Sequence, residues 1–164
     1  MIDTSKVPSL QEVSSTSREM LENVQQKLGM VPNLYATIGY SSSALKAMLE
    51  TETTLTKDAS FSAKEREAIN LIVSQVNNCD YCLAAHTALA KMRGFSEADT
   101  LSIRAANYND AKLKLVLQLA ASIAENKGNG DTDLKQAFFD AGYDEKALVE
   151  LIALIALRSF TNIS

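Results

Sequence analysis

Residues 62–86 read SAKEREAINLIVSQVNNCDYCLAAH. Ser62 followed by Glu65 is a capping-box pattern, set just before an apolar run. That run, Ala68 to Val76, ends in Asn77-Asn78, a turn signal. A new helix then carries Cys79 to Met92 and stops at Gly94. If the Asn77-Asn78 turn reverses the chain, the two helices form an antiparallel hairpin. Glu67 then lies about ten residues before the turn and His86 about eight after it, nearly level, within roughly 3 Å along the axis. Cys79, Cys82 and His86 follow the spacing i, i+3, i+7, which places them on one helix face within an arc of about 60°.

The chain has two cysteines and one histidine, so all three share that stripe. Cys79 falls in the first helical turn, where unpaired N–H groups and the helix dipole favour a thiolate. Cys82 sits one turn deeper, within disulfide reach of Cys79 after modest local movement. His86 follows Cys82 by four, so its imidazole can face the Cys82 sulfur and take its proton directly or through one water. Glu67 sits at the edge of its own apolar stripe, where a carboxylate can orient the imidazole and raise its basicity. Glu65 serves the cap. These features also have plainer readings. The two cysteines can be small buried hydrophobes, Glu67 a solvated helix residue, and Tyr81 a packing residue with a wet hydroxyl. Zinc is disfavoured: three ligands at this spacing stretch about 10 Å along one helix, and no second cysteine pair or histidine supplies a fourth ligand.

Outward from this hairpin the pattern is helical throughout, with no convincing strand. Ser17 is expected to cap a helix bearing Met20, Leu21, Val24 and Leu28, stopped by Gly29. Val31-Pro32-Asn33 breaks the chain, and a short turn or helix follows through Ile38. Ser41 to Ser43 can cap a helix with Leu45, Met48, Leu49 and Leu55 on one face. Ser96 with Asp99 begins another. Asp110 to Lys127 is amphipathic, with Leu113, Val116, Leu117, Ala120 and Ile123 inside, and Gly128 ends it. Thr132 is expected to cap a short helix that stops at Gly142, and Asp144 the last one. The last helix, from Glu145 to about Phe160, is apolar on most sides, which makes it either a central core helix or one partly covered by a neighbouring chain.

The chain of 164 residues is 46% hydrophobic and 22% charged with a net charge of −4, which excludes a disordered or low-complexity protein and disfavours nucleic-acid binding, which wants a basic face. We expect one all-α domain over residues 1–164, with 1–16 a loosely ordered N-terminal segment. The N-terminus has no basic start, apolar h-region or cleavage site of a secretory signal. The most apolar stretch, Ala147 to Leu157, is interrupted by Glu150 and bounded by Arg158, short of the roughly 20 residues a membrane helix needs. A cytoplasmic protein is expected, where a close cysteine pair is more often redox-active or metal-binding than a structural staple.

Glu67, Cys79, Cys82 and His86 together form E-x11-C-x2-C-x3-H. This resembles the signature of AhpD-like alkylhydroperoxidases in the carboxymuconolactone decarboxylase superfamily, and the flanks Ser62 to Glu67 and Cys82 to His86 agree with it. Val31-Pro32-Asn33-Leu34 is similar to the family's N-terminal segment, so the likeness runs from about Val31 to Asn162. It implies an all-α fold with a central CxxC hairpin, a homo-oligomer and a dithiol peroxidase. Cys82 matches the peroxidatic cysteine and Cys79 the resolving one, and His86 and Glu67 match the proton relay. Tyr81 departs from AhpD itself, where a histidine lies between the cysteines. The change removes one possible base. Tyr81 keeps a possible accessory role. The chain stops at Thr161-Asn162-Ile163-Ser164, where relatives continue for a short tail, so the final helix is expected to be clipped or naturally short.

The function expected is reduction of an alkyl or hydrogen peroxide through a Cys79–Cys82 dithiol/disulfide cycle. No metal, haem or flavin is required, and an external dithiol of lipoyl or thioredoxin type restores the pair. The helix N-terminus favours Cys79 as attacker, whereas the His86 spacing and the resemblance favour Cys82, which we take. The rivals are a thiol–disulfide oxidoreductase without peroxidase activity and a non-catalytic helical oligomerisation or metal-binding module.

Overall fold

The computed structural model describes residues 6–162. Among them every regular element is an α-helix, as the sequence pattern predicts. The chain divides into two compact units, one ending at Thr54 and one beginning at Leu55.

The first unit holds α1 (Ser15–Leu28), α2 (Asn33–Ile38) and α3 (Ser42–Thr54). Both α1 and α2 pack on α3, Leu21, Val24, Leu45 and Met48 are buried, and the Tyr35 hydroxyl donates to Glu52 at 2.9 Å. The cap of α1 is Ser14, not the expected Ser17: its hydroxyl accepts from the Ser17 amide at 3.1 Å, and Ser17 is fully buried inside the first turn. Four consecutive hydroxyl residues could each cap here. The choice of Ser14 puts Val13 and Ser17 on the buried side. Of the segment expected to be loosely ordered, residues 1–5 lie outside the described ones. Within residues 6–14 Glu12 accepts from the Ser9 amide, and Arg18 donates to the Leu10 carbonyl. Leu55, expected on the face of α3, falls past its end and packs against the core of the second unit.

The second unit holds α4 (Ala63–Val76), α5 (Asp80–Met92), α6 (Glu97–Arg104), α7 (Ala111–Glu125), α8 (Thr132–Asp140) and α9 (Glu145–Thr161). The expected capping box starts α4: Ser62 Oγ accepts from the Glu65 amide at 3.2 Å, and the Glu65 carboxylate accepts from the Ser62 amide at 2.7 Å. Asp131, not Thr132, caps α8, accepting from the Leu134 amide at 2.9 Å; a carboxylate also complements the positive helix end. The central helix is α4, packed against α5, α6, α7 and α9. Its Ala68, Ile69, Leu71, Ile72 and Val73 join Leu113, Val116, Leu117 and Leu151 in one core.

The last helix lies alongside α4 in the same direction. Near its start Glu150 accepts from the Ser60 amide at 2.7 Å, and past its end Asn162 accepts from Asn77 at 2.9 Å. Its pattern resolves into two faces. Ala147, Leu151, Leu154 and Ile155 enter the core, while Val149, Ile152 and Phe160 are exposed. Among the described residues no helix is long and apolar enough to cross a membrane.

Candidate functional site

The hairpin of α4 and α5 turns at Asn77-Asn78, as expected. Asn78 takes the left-handed backbone, φ 53°, a region asparagine tolerates better than most residues. The Cys79 amide then bonds back to the Ser74 carbonyl at 3.2 Å. Cys79 is the N-cap of α5, one position outside the first turn where the sequence pattern put it. Its sulfur accepts from the Cys82 amide at 3.3 Å, and its carbonyl takes the first helical bond, from the Leu83 amide, at 2.8 Å. The sulfur therefore does what a serine or aspartate side chain does at an N-cap.

Cys79 and Cys82 are joined as a disulfide, with Cα atoms 5.3 Å apart. Both are buried, Cys79 at 0% exposure and Cys82 at 4%. Tyr81 between them is exposed.

One helical turn beyond Cys82, His86 is buried and its Nδ1 lies 2.5 Å from Glu67 Oε1. The levelness expected from helix rise is thus realised as contact between α4 and α5. The other ring nitrogen, Nε2, faces Arg158 Nη1 of α9 at 3.2 Å. A guanidinium can only donate and an ionised carboxylate can only accept. These two partners therefore define the tautomer: Nδ1 carries the proton and donates to Glu67, while Nε2 accepts from Arg158. Among the described residues His86 makes no hydrogen bond to Cys82. The Cys82 sulfur lies instead 3.8 Å from the Thr161 carbonyl oxygen, again on α9.

The end of α9 is tied to the turn by amides. Asn77 Nδ2 donates to Asn162 Oδ1, and Asn162 Nδ2 donates to Ser74 Oγ at 3.2 Å. The four residues singled out in the sequence, Glu67, Cys79, Cys82 and His86, are thus brought together. Sequence reasoning missed Arg158, Thr161 and Asn162. The available signal was a buried-pattern helix ending in an arginine. Among the described residues no group of three or more His, Cys, Asp or Glu side chains is placed to hold a metal ion.

The site thus combines a disulfide at a helix start, an imidazole set against a carboxylate and a buried guanidinium. The helical arrangement is that of the AhpD-like fold: a peroxidase-related protein from Ralstonia eutropha with the alkylhydroperoxidase AhpD core superposes with a TM-score of 0.82 at 22% identity, over 96% of this chain and 85% of that one. The debrominase Bmp8 superposes with a TM-score of 0.73 at 20% identity, over 90% of this chain and 81% of that one. The uncharacterized protein YdfG of Bacillus subtilis is 30% identical over 124 residues, 73% of this chain and 84% of YdfG. The profile of the carboxymuconolactone decarboxylase family matches residues 43–108. The chain belongs to that family.

Proposed function

We propose that the protein is a dithiol peroxidase that reduces alkyl or hydrogen peroxides. The observation that carries this reading is the Cys79–Cys82 disulfide at the start of α5, one turn from the buried His86–Glu67 pair. The peroxidase-related protein of the same fold adds support. In the reduced protein the Cys82 thiolate attacks the outer oxygen of the hydroperoxide. The S–O bond forms as the O–O bond breaks, and the leaving alkoxide takes a proton to depart as alcohol. Cys82 is now a sulfenic acid. The Cys79 sulfur displaces its hydroxyl, which leaves as water with one further proton, and the disulfide closes. An external dithiol of lipoyl or thioredoxin type returns two electrons and two protons by exchange. His86 and Glu67 carry the protons of the first step, through a water or after a small shift of the ring toward Cys82.

A second reading is favoured by the Arg158 contact on His86 Nε2. With that nitrogen engaged, the pair can act as a thiol–disulfide oxidoreductase that reacts with dithiols and not with peroxide. One experiment separates them. The protein is reduced, freed of reductant, treated with one equivalent of an organic hydroperoxide, and its free thiols counted beside those of Cys82→Ser. Rapid loss of both thiols in the parent alone supports the peroxidase. Retention of thiols, with rapid oxidation by a disulfide such as lipoamide, supports the exchange reading.

A further inference from the structure

Two contacts join α5 to α9 at the site: His86 to Arg158, and Cys82 to Thr161. His86 follows Cys82 by four residues on α5, and Arg158 precedes Thr161 by three on α9. The two helix faces therefore run past each other in opposite directions, and each contact lies about one turn, roughly 5 Å, from the other. That geometry puts the Arg158 guanidinium on the imidazole and about one helical turn from the Cys82 sulfur. Arg158 is 8% exposed, and a buried guanidinium stays charged.

We propose that Arg158 is a positioning residue of the dithiol site. It holds His86 in the neutral tautomer whose Nδ1–H points to Glu67, and its fixed charge stabilises the Cys82 thiolate in the reduced protein. The proposal rests on the dithiol reading of Cys79 and Cys82, not on the identity of the oxidant. It divides the work differently from a plain proton relay. A lone pair that already accepts from a guanidinium is a poor base, so the acidity of Cys82 follows the charge of Arg158 more than proton removal by His86.

Among the described residues, the other charged groups on the helices around the site do not supply that charge. Glu67 of α4 is an anion on the far side of the imidazole. Asp80 is an exposed anion in the first turn of α5. On α6, Arg104 donates to Gln75, and Glu97 pairs with Lys91 near the other end of α5. What remains is the partial positive charge of the α5 N-terminus, which the Cys79 sulfur already shares as N-cap.

The test reads the thiol and the ring, not peroxide turnover. In a Cys79→Ser background the rate of Cys82 alkylation by iodoacetamide is followed against pH. Arg158→Met is expected to move the midpoint up by about one to two units, as loss of an adjacent opposite charge does. Arg158→Lys is expected to hold it near the parent value. A midpoint unmoved by Arg158→Met but raised by His86→Gln overturns the proposal. A second measurement needs no variant. His86 is the only histidine, so the ring ¹⁵N resonances of tag-free protein at neutral pH report its tautomer directly. Protonated Nδ1 with bare Nε2 is expected, and a protonated Nε2 overturns the assignment even if Arg158→Met fails to fold. Failure of the peroxidase reading shows separately, as thiols that alkylate as expected yet ignore hydroperoxide.

Discussion

Glu67 and His86, nineteen residues apart in sequence and on opposite arms of a helical hairpin, meet at 2.5 Å inside the protein. The carboxylate fixes which ring nitrogen carries the proton. Glu67→Gln keeps the shape but removes the charge that orients and stabilises the imidazole. Hydroperoxide-driven loss of thiols should slow on the order of 10–100-fold, measured by stopped-flow mixing of reduced protein. An unchanged rate would exclude Glu67 from the relay.

The two cysteines should not be equivalent. In Cys79→Ser the first step of the proposed cycle remains and the second cannot follow, so Cys82 should accumulate as a sulfenic acid that dimedone traps. In Cys82→Ser the buried N-cap thiol should give little or no dimedone adduct. Mass spectrometry of the intact protein after one equivalent of hydroperoxide reads both, and an adduct on Cys79 in place of Cys82 would reverse the assignment.

Asn162 joins the end of α9 to the α4–α5 turn through Asn77 and Ser74. Asn162→Ala removes both bonds and leaves two polar partners to find water. The expected cost is about 1–2 kcal/mol, read from the midpoint of urea unfolding. The same change should loosen the turn of α9 that bears Arg158 and Thr161, and so slow thiol oxidation as well. A loss of stability with full reactivity would mean that the site does not depend on this anchor.

Tyr143 stacks on Phe138 with ring centroids 4.3 Å apart. Among the described residues its buried hydroxyl finds no hydrogen-bond partner, and burial pushes it up to about 12 from an ordinary 10. The folded protein thus holds this proton more tightly than the unfolded chain. The stability it contributes is complete below pH 10 and drains away as pH rises from about 10 to about 12. Tyr143→Phe should remove that part of the alkaline destabilisation and cost little or nothing at neutral pH, since no bond is lost. Denaturant midpoints at pH 8 and pH 11 check both halves of the expectation.

The hairpin was legible in the sequence because its signals are local. Ser62 and Glu65 announce a start, Asn77 and Asn78 a turn, and the rise of a helix places Glu67 level with His86. The caps of α1 and α8 shifted because hydroxyl and carboxylate neighbours compete for one role, and tertiary burial of Val13 and Ser17 accompanies the choice in α1. Leu55 continues the apolar period of α3, but the helix ends before it. Arg158 was beyond reach for another reason. An arginine in the last turn of a helix usually serves the dipole and the solvent. Here it is buried because α9 lies parallel to α4, and that relation is set by packing at Ser60 and Asn77, far from Arg158 in sequence.

The N-cap position of Cys79 also bears on the return half of the proposed cycle. A dithiol that reopens the disulfide must strike one sulfur and expel the other. When the incoming dithiol strikes Cys82, Cys79 departs as the leaving group. The Cys82 amide and the helix start are already aimed at the Cys79 sulfur, and a stabilised thiolate leaves faster. The short-lived mixed disulfide with the reductant then sits on Cys82, and the electrons enter by the same atom through which the oxidant takes them away.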